Sequence, residues 1–213
     1  MIYKIAILLD KKNSWTFNFF NKKTLKDNKK YKIKFFKNKN KLKNYDIVFI
    51  IGYTKILKKS FLNKNKLNLV IHESALPKGK GFSPIQWQIL DNKNKIKFTL
   101  FEATKNFDSG PIYHQIEIKL KGNELSDELR KIQALESIRL IKEFMKIYPK
   151  KINIINQKGG SSFYKKRKLS DSKIDINKTI RENFNHLRIV DNKNYPAYFY
   201  FKKKKYILKI FSG

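Results

Sequence analysis

Short runs of apolar residues, each about the length of one buried strand, recur through the first half of this chain and constrain its fold. The runs lie at Ile2–Leu9, Tyr31–Phe36, Asp46–Ile51 and Leu67–Ile71, and "IAILL" and "IVFII" are the longest fully apolar stretches. Strands that are apolar along their whole length are typical of parallel sheets covered on both faces. Helical stretches separate several of these strands, and the resulting β-α-β order predicts a parallel sheet with right-handed crossovers.

The rest of the chain extends this pattern. Further predicted elements are a helix from Ser14 to about Lys26 that buries Trp15, Phe17, Phe20 and Leu25, a helix at Ile56–Leu62, a helix at Phe82–Leu90 with Ser83 and Pro84 as N-cap and N1, a strand at Lys95–Ala103, a strand near a sheet edge in "GPIYHQIEIKL", and a long helix at Glu124–Ile147. We predict an α/β fold: an open, mostly parallel sheet with helices on both faces. Residues 1–149 form the main domain, and residues 150–213 form a small extension with a loop, a short helix and a β-hairpin.

Composition narrows the classes of function. The 213 residues include 49 Lys+Arg and 17 Asp+Glu, for a net charge of +32. Such a charge suits polyanions, but it is mostly Lys spread along the whole chain, which an AT-rich coding sequence would also produce. We therefore do not predict nucleic acid as the partner. With no Cys and only three His, we expect neither disulfides nor a metal site. The absence of a long apolar run or a leader pattern predicts a cytoplasmic protein with no membrane span.

Two polar residues follow predicted strands. His72 ends the strand Leu67–Ile71, and Asp108 lies in "DSG", 36 residues later. Residues at the carboxyl ends of strands in an open parallel sheet line the ligand crevice, so the two side chains can converge. An Asp beside a His holds the imidazole in one tautomer and stabilises its charged form. A structural His and an ordinary turn Asp are the alternatives, and neither residue alone establishes a site.

The two segments around these residues resemble a known family. "HESALPKGKGFSP" and "FEATKNFDSGPIY" are similar to the motifs of the folate-dependent formyltransferases, over roughly Ile2 to Phe144. That group has a Rossmann-like fold and includes enzymes acting on methionyl-tRNA, on glycinamide ribonucleotide and on nucleotide-linked amino sugars. "ILLDKKNSW", "SPIQWQIL" and the tail most resemble the amino-sugar branch, such as the enzymes of pseudaminic-acid-type pathways. No Gly-rich phosphate loop follows the first strand, and the residues after Pro149 are too few for a tRNA-binding barrel.

The resemblance implies a reaction and its residues. The cosubstrate is 10-formyltetrahydrofolate, without a metal, and the acceptor is the amine of a UDP- or dTDP-linked amino sugar. His72 stabilises the tetrahedral oxyanion, and Asp108 orients His72 and relays the proton. Predicted folate-binding residues are Leu76, Pro77, Gly79, Gly81, Glu102, Ala103, Thr104 and Phe107. Predicted sugar-nucleotide residues are Lys78, Lys80, Phe82, Gln86, Trp87 and Trp15, although core packing for the tryptophans and a solvated face for the lysines remain alternatives.

One position departs from the family pattern. The family has Asn two residues before the His, and Val70 stands there in this chain. Valine cannot donate a hydrogen bond to an oxyanion, and Asn68 lies too far back along the strand to replace it. Ser74 is the catalytic candidate for that donor, and a backbone N–H of the following loop is the alternative. Alternative functions are formyl transfer to another amine, including a tRNA-like one, and a weakened relative that binds polyanions. The C-terminal hairpin is a candidate homodimer interface.

Overall fold

Four of the predicted apolar runs form the parallel half of a central sheet. The structure is a computed structural model that describes residues 2–11, 15–150 and 152–213. The strands are β1 (Tyr3–Leu9), β2 (Tyr31–Phe36), β3 (Ile47–Ile51) and β4 (Leu67–His72). β1 lies between β2 and β3, with Ile5 opposite Ile33 on one side and Ile47 on the other. The sequence therefore predicted these strands to within one or two residues.

The connecting and following elements occur in the predicted order. Before residue 150 the chain forms α1 (Thr16–Phe19), a 3₁₀ turn (Lys39–Lys41), α2 (Lys59–Leu62), β5 (Lys80–Gly81), α3 (Pro84–Leu90), β6 (Lys95–Glu102), β7 (Ile112–Lys119) and α4 (Ser126–Ile147). After residue 150 it forms β8 (Phe163–Tyr164), a 3₁₀ turn (Leu169–Ser172), α5 (Ile180–Arg188), β9 (Ala197–Phe201) and β10 (Lys204–Leu208).

The central sheet has the strand order β2-β1-β3-β4-β6-β7, so β7 lies at the predicted edge. β1 to β4 are parallel, whereas β6 runs antiparallel to both β4 and β7. Apart from this sheet, β5 pairs with β8 in a short parallel ladder, and β9 and β10 form an antiparallel hairpin. The predicted class, a mostly parallel α/β sheet with a C-terminal hairpin, is confirmed.

Alternation along the central strands separates two apolar layers. Ile5 and Ile7 face one side of the sheet, where they belong to a cluster that includes Leu129 and Phe144 of α4. Ala6 and Leu8 face the other side and join a cluster that includes Phe61 of α2. Because successive strand residues point to opposite faces, one apolar run supplies both layers. Helices therefore cover both faces of the sheet, as predicted.

The first predicted helix is wrong in its extent. α1 ends at Phe19, because the Thr24 hydroxyl donates to the carbonyl oxygen of Phe19 at 2.7 Å and accepts from the backbone N–H of Asn21 at 3.2 Å. Such local side-chain bonds compete with helical ones. Phe20 and Leu25 are nevertheless buried as predicted, and the predicted cap Ser14 lies outside the described residues.

The cap predicted at Ser83 is confirmed in position but makes no capping bond. Ser83 occupies the N-cap position of α3 and Pro84 follows it at the start of the helix, as predicted, but Ser83 has a φ of 51°, in the left-handed region, and its side chain makes no capping bond. Helix N-caps have extended backbone that aims the side chain at the first free N–H groups, and a left-handed residue does not provide that geometry.

The C-terminal extension is joined to the rest by a buried ion pair. Arg188 at the end of α5 is 1 % exposed, and its guanidinium donates to the Glu124 carboxylate at 2.8 Å and to the Glu124 carbonyl at 3.2 Å. A buried guanidinium is tolerated only where its donors find acceptors. The domain boundary near Pro149 stays a prediction. In the part of the chain that the structure describes, no helix combines the length and apolar character needed to cross a bilayer.

Candidate active site

His72 and Asp108 lie next to each other. His72 is buried at the end of β4, and its Nε2 lies 2.7 Å from the carbonyl oxygen of Gly79 and 3.9 Å from Oδ2 of Asp108. A carbonyl oxygen can only accept a hydrogen bond, so Nε2 carries a proton in this arrangement. The structure therefore brings together the imidazole and the carboxylate that the sequence separates by 36 residues.

Asp108 reaches His72 by a different route from the one predicted. We expected two strands of the parallel sheet to converge at their carboxyl ends. β6 instead runs antiparallel to β4, with Thr99 opposite His72 and Glu102 opposite Leu69. The loop of residues 103–111 after β6 therefore carries Asp108 back toward the end of β4. The prediction of proximity held, while its topological reason was wrong.

Residues 77–81, "PKGKG", form the glycine loop, which contacts both members of the pair. Gly79 accepts from His72, and the backbone N–H of Gly81 donates to Oδ2 of Asp108 at 2.9 Å. Gly79 and Gly81 have φ values of 71° and 102°, which suit glycine because it has no Cβ. Asp108 itself has a φ of 45°, and Asp is one of the few other residues that tolerate this region. One short backbone segment thus holds the imidazole and the carboxylate.

A cavity of about 310 Å³ opens beside this pair. Its lining includes seven residues of the predicted site: Trp15, His72, Gly81, Phe82, Gln86, Phe107 and Asp108. A groove of about 1360 Å³ adjoins the cavity and shares the side chains of Trp15, Phe82 and Arg130 with it. The His–Asp pair therefore lies in a small aromatic-walled pocket that leads into a longer groove.

The remaining predicted residues do not line this cavity. They are Ser74, Leu76, Pro77, Lys78, Gly79, Lys80, Trp87, Glu102, Ala103 and Thr104. Some of them support it from behind: Gly79 binds His72, and Leu76 is buried with Phe101 and Ile112. Others are engaged elsewhere. Glu102, for example, accepts from the Tyr113 hydroxyl at 2.9 Å.

Three predicted substrate residues have other surroundings. Lys78 is exposed, whereas Lys80 is buried and its ammonium donates to the Ser109 hydroxyl at 3.0 Å. The Trp87 ring stacks on Tyr164 with centroids 6.4 Å apart, and its indole N–H donates to the carbonyl oxygen of Lys165 at 2.8 Å. These contacts match the packing alternative for Trp87 more closely than an open binding face.

The position of the missing family Asn is apolar in structure as well as in sequence. Val70 is half-buried and lines the cavity on the same strand as His72. The Asn68 amide donates to the carbonyl oxygen of Leu62 at 2.9 Å and is therefore directed away from the pair. The Ser74 hydroxyl is buried and has no hydrogen-bond partner among the described residues. It remains the candidate side-chain donor closest in sequence to His72.

Sequence reasoning missed a buried carboxyl on another wall of the cavity. Glu73, directly after His72, is buried, and its Oε1 accepts from the Gln133 amide of α4 at 2.6 Å. Burial raises the pKa of Glu73, against the opposing effects of His72 and Gln133. A charged residue at the end of an apolar strand was the signal available in the sequence.

Sequence reasoning also missed the cations of the cavity. Arg130 of α4 and Lys166 of the C-terminal extension line both the cavity and the groove. Arg130 pairs with Asp191 at 2.7 Å. Burial alone would raise the pKa of Asp191, but hydrogen bonds from Asn194 and Lys193 and the charge of Arg130 lower it to about 2. In a chain so rich in lysine, no pattern distinguishes Lys166 from the others.

Comparison with known proteins identifies a family and several relatives. The family described as "Formyl transferase" matches residues 5–152. The bifunctional polymyxin resistance protein ArnA of Wigglesworthia glossinidia brevipalpis is 32% identical over 76% of this chain and 25% of its own length. The methionyl-tRNA formyltransferase of Pelagibacter ubique is 30% identical over 77% of this chain and 54% of its own. The chain thus spans between a quarter and about half of these curated relatives.

Solved structures share the fold over nearly the whole chain. A methionyl-tRNA formyltransferase from Clostridium thermocellum has a TM-score of 0.80 at 22% identity, covering 96% of this chain and 90% of that one. A 4-N formyltransferase from Francisella tularensis has a TM-score of 0.75 at 19% identity, covering 98% and 97%. HypX from Aquifex aeolicus, in complex with tetrahydrofolic acid, has a TM-score of 0.78 at 14% identity, covering 99% and 38%.

Proposed function

This chain belongs to the formyl transferase family, and we propose that it transfers the formyl group of 10-formyltetrahydrofolate to the amine of a nucleotide-linked amino sugar. The observation that carries this proposal is the separation of 3.9 Å between His72 Nε2 and Asp108 Oδ2 beside an open cavity. An acyl transfer to an amine needs a donor for the oxygen that gains charge and an acceptor for the proton that the amine loses. A neighbouring imidazole and carboxylate supply both.

The two side chains divide these tasks. His72 donates a hydrogen bond from Nε2 to the formyl oxygen. This bond forms in addition to, or in place of, the present bond from Nε2 to the Gly79 carbonyl oxygen. Asp108 stabilises the imidazolium, accepts the proton released by the amine and would pass it on to the folate nitrogen that leaves as its bond to the formyl carbon breaks. When bound, the folate supplies the activated formyl carbon. Because the cavity holds both partners in one place, part of the barrier falls through proximity alone.

The residues around the pair fit a flat ring with polar edges. Phe82 and Phe107 lie 5.7 Å apart as neighbouring rings in the cavity wall, while His72 and Asp108 supply polar atoms. We propose that a pterin occupies this pocket, in contact with Phe107 of the loop Glu102–Phe107 and with Gly81 of the glycine loop, the two residues of these loops that line it. The HypX fold in complex with tetrahydrofolic acid supports this assignment.

The adjoining groove suits a longer, anionic substrate. Arg130, Lys166 and Lys193 line its wall together with Trp15 and Tyr195. Cations can bind a diphosphate, and aromatic faces can stack on a base. We therefore propose that Arg130 and Lys166 bind the diphosphate, in preference to Lys78 and Lys80, which lie outside the cavity lining. The similarity to a sugar N-formyltransferase from Shewanella sp FDAARGOS_354, with a TM-score of 0.67 at 14% identity over 97% of that chain, supports an amino sugar as acceptor.

A second candidate function is formyl transfer to methionyl-tRNA. Several curated relatives carry that name at about 30% identity, and the net charge of +32 suits a polyanion. These relatives are about twice as long as the matched region, so the activity of the whole relatives extends to this chain only as a proposal. The two acceptors share the same transfer step and differ in what the groove must hold.

The test supplies 10-formyltetrahydrofolate with either a UDP- or dTDP-linked amino sugar or methionyl-tRNA. Product mass and released tetrahydrofolate report transfer. We expect sugar formylation, lowered about a hundred- to ten-thousandfold by His72→Asn or Asp108→Asn. His114→Asn is the matched control, because His114 pairs with Glu143 at 2.8 Å outside the cavity lining. Transfer only to the tRNA would overturn the sugar assignment, and equal activity of His72→Asn and His114→Asn would overturn the site.

A further inference from the structure

Residues 155–165, which we call the brace segment, contact both loops that hold the His–Asp pair. The family match ends at residue 152, so this segment lies beyond the region that defines the family. Two backbone bonds of 2.8 and 2.9 Å join Ile155 to Ile112 at the start of β7. At its other end, β8 pairs with β5 of the glycine loop. The brace segment thus spans the two loops from outside the cavity.

One contact of the brace segment reaches His72 through the glycine loop. The Ser162 hydroxyl accepts from the backbone N–H of Gly79 at 2.9 Å, and the Ser162 carbonyl accepts from the N–H of Lys80 at 2.9 Å. The carbonyl group of Gly79 lies between these two N–H groups in the chain and is the acceptor for His72. Fixing both amides fixes the direction of that carbonyl, because successive peptide planes turn only at φ and ψ.

A second contact reaches Asp108. The Gln157 amide donates to the carbonyl oxygens of Asp108 at 3.1 Å and Gly110 at 2.8 Å. Asp108 has a positive φ, a conformation that costs free energy unless its surroundings hold it. Gly110 is closely packed, since a Cβ there would lie 1.8 Å from the carbonyl oxygen of Glu102. Gln157 therefore ties a strained turn to a position that cannot shift.

We propose that Ser162 and Gln157 are positioning residues, which set the spacing of His72 and Asp108 for formyl transfer; this inference rests on the proposed function. Ser162 is itself exposed and Gln157 only half-buried, and most of the brace segment is exposed, so it adds little to the apolar core. Its side-chain hydrogen bonds reach the backbone of Gly79, which binds His72, and the backbone of Asp108 itself. Their loss should therefore affect the geometry of the site more than the stability of the fold.

The test compares Ser162→Ala and Gln157→Ala with the exposed neighbours Ser161→Ala and Asn156→Ala. We expect each brace variant to lower kcat about two- to tenfold, the range of one net hydrogen bond, with a smaller change in KM. Ser162→Thr keeps the hydroxyl and should restore kcat. Unchanged kcat in both brace variants, or an equal loss in the neighbours, would overturn the proposal.

A second readout does not depend on formyl transfer. The chain has only three His, so the ring nitrogens of His72 can be assigned by NMR with a His72→Gln variant. In the unmodified protein we expect a signal from an Nε2 proton that exchanges slowly with water, since that proton is hydrogen-bonded to the Gly79 carbonyl oxygen. Ser162→Ala should accelerate the exchange, and Ser161→Ala should not. If the brace variants leave the exchange rate of the Nε2 proton unchanged, the positioning role is wrong. If no acceptor is formylated at all, only the proposed function fails.

Discussion

Substituting Gly81 by Ala should show how closely the brace segment packs on the glycine loop. A Cβ at Gly81 would lie 2.3 Å from the carbonyl oxygen of Tyr164, and the residue has a φ of 102°. The backbone conformation costs about 1–3 kcal/mol for a residue with a side chain. If the backbone around Tyr164 shifts to accommodate the added Cβ, the clash adds about 1–3 kcal/mol. Release of the ladder, which breaks the bonds Lys80 N–Ser162 O and Phe82 N–Tyr164 O, costs about the same.

Gly159→Ala is the control, because Gly159 has a φ of 91° but no atom within 4 Å of its added Cβ. It should lose only the conformational part. For a chain of this size, 1 kcal/mol shifts Tm by about 2–4 °C. We therefore expect Gly81→Ala to melt about 2–12 °C below Gly159→Ala in thermal denaturation. Equal melting temperatures would refute the close packing of Gly81 on Tyr164.

Three further predictions concern single side chains. Val70→Asn places an amide donor beside His72, and we expect kcat to rise, by at most about a thousandfold, while unfolding free energy falls by about 1–3 kcal/mol for the buried amide; unchanged kcat in steady-state assays would exclude a missing donor. Burial raises the pKa of Glu73, so the native state favours its protonated form, and its contribution to stability is present at low pH and lost as the pH rises through the raised pKa. Glu73→Gln should therefore gain stability relative to the parent as the pH rises above the ordinary titration range of a glutamate, measured by urea denaturation at several pH values, and a pH-independent difference would contradict the raised pKa. Arg188→Met leaves the buried Glu124 carboxylate with the backbone N–H groups of Lys121 and Gly122 but without its cation, which should cost at most about 3–5 kcal/mol; adding Glu124→Gln should recover part of that loss, and a further loss in the double variant would count against the ion pair.

The central sheet was predictable because burial on two faces leaves a strong mark on sequence. A run such as Ile47–Ile51 is apolar at every position, and only a strand in the middle of a covered sheet requires that. The direction of β6 was not predictable in the same way, since an apolar run has the same pattern whichever way it runs. The connection from β4 to β6, residues 73–94, is long enough for a parallel crossover as well as for an antiparallel return, so its length does not reveal the direction of β6.

The candidate site was predictable where motif residues carry chemistry in their side chains. His72 and Asp108 were identified by their positions after predicted strands and by the resemblance of the motifs around them to a known family, and the structure places them together. The brace segment was not identified, because its contacts combine backbone groups that every residue has with the side chains of one exposed serine and one glutamine, which follow no pattern in the sequence. Lys80 was assigned to a substrate, but a two-residue strand has too few positions for alternation to show which way its side chain points. The residue roles, the cytoplasmic location and the homodimer stay predictions.

The placement of the two polar groups on one glycine loop has a consequence for how this chain can vary. Gly79 receives the imidazole through its carbonyl, and Gly81 meets the carboxylate through its amide, with a single residue between them. The separation of His72 and Asp108 therefore depends on the main chain of three consecutive residues. Substitutions to lysine on the surface elsewhere can change the charge of the protein while this separation stays constant.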